Sequence, residues 1–151
     1  MAIIATKGTL DMAYPPLILA STAAALGWDV QVFFTFYGLQ LLRKDLDSVK
    51  ISPLANPAMP MPVPMPVFVQ MLPGMESMAT MMMKQKIRSK GVASLTELRN
   101  TCIESDVKFI ACQMTVDLFE FDKGDFIDGI TFGGAATFMK FAGETDVCLF
   151  I

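Results

Sequence analysis

Short apolar runs that stop at a turn and give way to a helical pattern recur from one end of this chain to the other. Ala2-Ile3-Ile4-Ala5-Thr6 leads into the turn Lys7-Gly8-Thr9 and then a helical stretch from about Tyr14 to Leu26, which Gly27 stops. Pro15 and Pro16 suit the first turn of that helix, where a missing N–H costs little. Val30 to Phe36 is a second run, and Tyr37-Gly38 turns it into a short helix over 39–43. Val107 to Ala111, Gly129 to Phe132 and Asp146 to Ile151 supply three more strands, the last two separated by a helix that Gly133-Gly134 opens. Strands that alternate with helices join in parallel through right-handed crossovers. The expected fold is α/β: a three-layer α/β/α sandwich around a mainly parallel five-stranded sheet, in a single domain over residues 1–151.

One region departs from this rhythm. Residues 51–73 form a methionine- and proline-rich insert. With prolines at 53, 57, 60, 62, 64, 66 and 73, the apolar region 51–83 cannot form a membrane-spanning helix, which needs about 20 unbroken apolar residues. Segments this long between elements are usually functional or interfacial. A helix is expected over 75–90, with Met71, Met75, Met78 and Met82 as its apolar stripe and Glu76, Thr80, Lys84 and Arg88 on its polar face. Ser94-Leu95-Thr96-Glu97 is a capping box that starts the next helix, which ends near Ser105-Asp106.

Composition removes several function classes. Net charge is −3 and the basic residues are scattered, which argues against nucleic acid binding. Hydrophobic residues make up 53% of the chain, so part of that surplus is expected in an oligomer interface or against a membrane. The first residues carry no basic leader, and three cysteines do not suggest a disulfide framework, so a cytoplasmic protein with reduced thiols is expected. There is no histidine, which excludes Ser–His and Cys–His catalysis. Asp117, Glu120, Asp122, Asp125 and Asp128 have no metal-site spacing and read as a solvated acidic face. Neither a metal nor a cofactor is expected.

Thiol chemistry remains. Cys112 lies in Lys108-Phe109-Ile110-Ala111-Cys112-Gln113-Met114-Thr115, where a strand ends and a helix begins. Carboxyl ends of parallel strands gather chemistry, in the crevice where strand order reverses. With Thr115 as N-cap, the helix N–H groups would lower the thiol pKa, provided Asp117 points away. Burial as a small hydrophobe is the competing explanation. Cys102 shares a helical stripe with Leu95 and Leu98, a core position that also leaves it a possible second thiol. Cys148, between Val147 and Leu149, reads as core. Lys7-Gly8-Thr9 lacks the P-loop pattern but could bring a cation to the same end of the sheet, and Gly133-Gly134 is a candidate anion nest.

Several of these segments together resemble the DsrE/DsrF/DsrH-like family. They are Ala5 to Thr9, Pro15-Pro16, Phe33 to Leu39, Ala111-Cys112-Gln113-Met114-Thr115, Ile127-Asp128-Gly129, and Gly133-Gly134-Ala135-Ala136-Thr137-Phe138. The subgroup with an A-C-x-M-[ST] segment is most similar, although Phe119-Glu120 stands where it commonly has Met-Gly. The resemblance implies a sulfurtransferase that carries sulfur as a persulfide on Cys112 and passes it to a TusA-like or rhodanese-like partner. It also implies a homo-oligomer, a trimer or hexamer. Candidate pocket residues are Lys7, Gly8, Thr9, Tyr37, Gln113, Met114, Thr115, Gly133 and Gly134. Some members of the subgroup have membrane spans matching 51–83; here prolines replace the span, leaving peripheral membrane contact. The alternative is a non-enzymatic assembly module that works through the 51–73 insert.

Overall fold

The computed structural model describes residues 1–51 and 74–151, so the 51–73 insert lies almost wholly outside the described residues. Strands β1 (Ala2–Ala5), β2 (Gln31–Phe34), β3 (Lys108–Cys112), β4 (Thr131–Gly133) and β5 (Cys148–Phe150) form one parallel sheet in the order β4-β3-β2-β1-β5. Helices α1 (Leu10–Ala25), α2 (Met75–Ser89), α3 (Leu95–Glu104), α4 (Gln113–Leu118) and α5 (Ala135–Ala142) connect them, with 3-10 turns at Phe36–Leu42 and Lys123–Asp125. This is the α/β architecture expected from the alternating pattern.

Side chains alternate across a strand, so each run feeds two cores. Ile3, Ala5, Val32, Phe34, Phe109 and Ala111 face one side, in a large cluster with α1 and α3. Ala2, Phe33, Ile110 and Cys112 face the other, in a smaller cluster with Phe138 and Ala142 of α5. Direction along the sheet reverses between β1 and β5. Cys112 is therefore at a strand end, as expected, but on β3, away from the reversal. What adjoins it is α5, which belongs to the β4-to-β5 connection and covers the sheet face opposite α1 and α3.

Two helices differ from expectation. Helix α1 starts at Leu10, a turn before Tyr14: the Leu10 N–H donates to the Lys50 carbonyl at 2.8 Å, and the Thr9 carbonyl accepts from Met12 and Ala13. These bonds satisfy donors that a helix start otherwise leaves open. Pro15 and Pro16 thus fall in the second turn, inside the helix. On α2 the packed side is Ala79, Thr80 and Met83, while Met78 and Met82 face outward with Met81. The Thr80 hydroxyl decides the orientation. It accepts from the Ile51 N–H at 3.1 Å and donates to the Glu76 carbonyl at 2.8 Å, so a residue expected on the polar face docks the helix. Met71 and the Met75 side chain lie outside what the structure describes. The capping box at Ser94 forms as expected, with the Glu97 N–H donating to Ser94 Oγ and the Ser94 N–H to Glu97 Oε2.

The 3-10 turn after β2 is held from two sides. Arg99 of α3, almost fully buried, donates from one guanidinium nitrogen to the Leu41 and Arg43 carbonyls at 3.1 and 2.6 Å. At the other end, a Cβ on Gly38 would lie 2.2 Å from the Ala5 carbonyl oxygen, and one on Gly8 would lie 2.2 Å from the Tyr37 carbonyl oxygen. The turns after β1 and β2 pass so closely that neither glycine has room for a side chain. For Gly38 the obstacle is backbone of β1, held between β2 and β5, which cannot step aside. Gly38→Ala is expected to cost about 1–3 kcal/mol, the usual range for overpacking, read as a lowered urea midpoint with unchanged slope.

Candidate functional site

Strand β3 passes into α4 with no residue between them. Cys112 ends the strand and is itself the N-cap (φ −64°, ψ 108°), a position the sequence pattern assigned to Thr115. The shift has a chemical consequence. Thr115 becomes the third helical residue, turned inward and fully buried. It brings both its hydroxyl and its backbone N–H to the Cys112 sulfur.

Register supplies the rest of the surroundings. Phe34 pairs with Ala111, and one residue further along both strands lie Thr35 and Cys112. On the other side Cys112 pairs with Gly133, which carries no side chain to cover the sulfur. Burial, which leaves Cys112 only 4% exposed, works against the thiolate. Hydrogen bonds from the Thr115 hydroxyl and N–H and the Met114 N–H, with the Thr35 hydroxyl close beside them, outweigh it, so the thiol pKa sits below its ordinary value. The two hydroxyl oxygens are 3.1 Å apart, and the Phe36 N–H approaches Thr115 Oγ1 at 3.4 Å. Asp117 points away, as the argument required: it is exposed and accepts from Gln113 Nε2 at 2.6 Å.

The other residues singled out from the sequence divide by location. Gly133 and Gly134 adjoin Cys112, and Gly134 is the N-cap of α5, whose Phe138 stacks on Phe33 with ring centroids 5.2 Å apart. Gly134 has extended backbone (φ −96°, ψ 178°), so it forms a helix start and not a nest. Lys7, Gly8 and Thr9 sit in the turn after β1, two strands from β3, and Lys7 is exposed. Tyr37 and Met114 are exposed at the same end of the sheet, at 66% and 63%. Asp117, Glu120, Asp122, Asp125 and Asp128 are all exposed, and no group of three or more potential ligands among the described residues could hold a metal ion.

An aromatic rim borders this end, which the sequence pattern did not single out. Phe119 touches Phe36, Tyr37 and Phe121, and the series continues through Phe126 to Phe132. Polar ties close it underneath: Arg43 pairs with Asp125 at 2.9 Å and lies over the Phe121 ring, and Lys44 Nζ donates to the Gly124 carbonyl at 2.7 Å. Thr35 and Phe36 were missed as well. The available signal was the strand order, because the residue ending β2 must neighbour the residue ending β3.

The remaining thiols are unlike Cys112. Cys102 is fully buried on the opposite side of the sheet, its thiol donating to the Leu17 carbonyl at 3.4 Å, and burial pushes its pKa up to about 11. Cys148, expected in the core, is exposed. It lies on the edge strand β5, in register with Ala2, and Phe150 on the same strand is 74% exposed.

Two measurements test this description. Glu120 holds a left-handed backbone (φ +52°), which costs a non-glycine residue about 1–2 kcal/mol, partly offset by the entropy glycine loses on folding. Glu120→Gly is therefore expected to raise stability by up to about 1 kcal/mol in urea unfolding; a loss would contradict the local geometry. Cys102 gives a pH dependence. Its unfolded thiol ionises near pH 9 and its folded thiol near 11. Between these values the unfolded chain binds fewer protons, so stability is unaffected by this group below pH 9 and falls as pH rises toward 11. Across that window, the wild type should lose on the order of 2 kcal/mol more than Cys102→Ala, measured by urea midpoints at each pH.

The chain was compared with known proteins. A family described as DsrE/DsrF/DrsH-like matches residues 1–150. The chain is 64% identical over 155 residues to the sulfur carrier protein DsrE2 of Allochromatium vinosum, covering 100% of this chain and 97% of that protein. It is 31% identical over 161 residues to the uncharacterized protein YrkE of Bacillus subtilis, covering 99% of this chain and 94% of that one. The matches span nearly the whole chain, and the chain belongs to the DsrE/DsrF/DsrH-like family.

Proposed function

We propose that this chain is a sulfur carrier that holds sulfane sulfur as a persulfide on Cys112 and delivers it to a thiol of a partner protein. The observation that carries the reading is that hydrogen-bond donors outweigh burial at Cys112, whereas burial wins at Cys102. A structural cysteine filling a core strand has no use for donors that stabilise its anion. The 64% identity to a protein named as a sulfur carrier supports the same chemistry.

Loading needs only the groups present. The Cys112 thiolate attacks the terminal sulfur of a polysulfide or hydropersulfide R–S–SH, and the S–S bond breaks with its electron pair leaving on R–S⁻. The product is Cys112–S–SH, and charge and atoms balance without an oxidant. Burial shields the new S–S bond, and Gly133 beside it contributes no side chain of its own. A reducing cytoplasm suits a reversible thiol carrier. TusA-like or rhodanese-like proteins are acceptors of the right chemistry, and the exposed Phe150, Leu118 and Tyr37 suit assembly as a homo-oligomer. No helix among the described residues is long and apolar enough to cross a membrane.

The reading is tested by treating the full chain in a Cys148→Ser background with polysulfide and measuring intact mass. Gain of sulfur is expected there and in the further variant Cys102→Ser, and none after Cys112→Ser. Normal loading of the Cys112→Ser chain would overturn the assignment.

A further inference from the structure

We propose that Thr35 and Thr115 act as a paired-hydroxyl relay that stabilises the Cys112 sulfur as the leaving group during delivery, with the Phe36 N–H fixing the direction of the Thr115 proton. The proposal rests on Cys112 being the persulfide carrier and adds the residues that govern discharge. Thr115 Oγ1 is fully buried, so its one proton and two lone pairs must be satisfied by protein. The Phe36 N–H, at 3.4 Å, occupies one lone pair, and the Thr35 hydroxyl, at 3.1 Å, supplies a proton to the other. The Thr115 proton is then left for the cysteine sulfur. Phe36 holds a left-handed backbone (φ +49°) that phenylalanine rarely adopts, and strain of this kind collects where a backbone group must be aimed.

The relay distinguishes the loaded state from the transition state. In Cys112–S–SH the inner sulfur is neutral and accepts hydrogen bonds poorly. During delivery an acceptor thiolate R–S⁻ attacks the outer sulfur. The S–S bond breaks, its electron pair stays on Cys112, and the products are R–S–SH and the Cys112 thiolate, with one negative charge on each side. Charge therefore grows on the inner sulfur, where the hydroxyls are placed. Donors aimed at charge that appears only in the transition state lower the barrier. A better leaving thiolate is also a weaker nucleophile, so the relay accelerates discharge more than loading.

The test uses the full chain with Cys148→Ser and the added variants Thr115→Val, Thr115→Ser and Thr35→Val. Two quantities are read: the pH midpoint of Cys112 alkylation by iodoacetamide, and the rate at which sulfur-loaded protein yields thiocyanate to cyanide, which takes the outer sulfur in the same way. Thr115→Val should raise the midpoint and slow discharge roughly tenfold while slowing loading less. Thr115→Ser should restore both. Thr35→Val, at a half-buried position, should shift both in the same direction and carries the test if Thr115→Val does not fold. An unchanged midpoint in the folded valine variants, or a raised midpoint with discharge at the wild-type rate, would overturn the relay. If the unsubstituted threonine chain takes up no sulfur, the carrier reading fails and takes the delivery role with it; the alkylation midpoints then show separately whether the hydroxyls hold the thiolate.

Discussion

Phe34 pairs with Ala111 and, one strand over, Cys112 pairs with Gly133. From this register follows nearly everything that distinguishes Cys112. A single-residue slip of β3 would turn its side chains to the opposite face of the sheet. Cys112 would then point into the large core beside α1 and α3, the setting that makes Cys102 inert. It would also lose Thr35 as its neighbour. Register is protected by the two-sided burial of the sheet, since Phe109 and Ala111 fit one core and Ile110 and Cys112 the other. The setting that lowers the thiol pKa is thus secured by hydrophobic packing, one residue at a time along β3.

How much of this could be read from the chain depends on what kind of interaction was involved. The strands and their parallel arrangement are written locally, in apolar runs stopped by turn residues, and they form close to where the pattern puts them. Cys112 stands out on the same grounds. Thr115 as N-cap was misplaced by three residues because strand and helix share Cys112, and nothing in the sequence marks a junction without a linker. Thr35 and the aromatic rim depend on strand order, which apolar periodicity does not encode. Cys148 looked buried because Val147 and Leu149 flank it. Its exposure accompanies the place of β5 at the edge of the sheet. On α2, Met78 and Met82 are exposed while Thr80 is buried, because the Thr80 hydroxyl accepts from the Ile51 N–H, a contact that helical periodicity does not encode.

Apolar surface is distributed unevenly over the molecule. The face bearing α1 and α3 has a deep core, yet Ile18, Leu19 and Leu26 remain exposed around α1. The opposite face has only the short α5, and the exposed residues Phe150 and Cys148 lie at its uncovered edge. Tyr37, Met114 and Leu118 add a third exposed group at the Cys112 end. Scattered large apolar residues are ordinary on protein surfaces, but three such groups on a chain this apolar suit a protein that meets other surfaces. The third group lies at the same end of the sheet as Cys112, so a partner docked there would meet the proposed sulfur site.

Two residues near this end hold left-handed backbone conformations, and their surroundings give them different meanings. Glu120 is exposed, its N–H bonded to the Asp117 carbonyl in the frayed end of α4, and nothing connects its conformation to Cys112. Glycine at this position would remove the strain at little cost. Phe36 cannot be relieved so simply. Its N–H serves Thr115, its ring meets Phe119, and both contacts issue from one residue whose backbone is fixed between β2 and the 3-10 turn. Relaxing φ at Phe36 would withdraw a donor from Thr115 Oγ1 and leave that oxygen under-satisfied in a dry site, a penalty of about 1–3 kcal/mol, comparable to the strain itself. The strained conformation is therefore held by the hydrogen-bond network it serves. Rigidity at Phe36 and polarity at Cys112 are two consequences of the same arrangement.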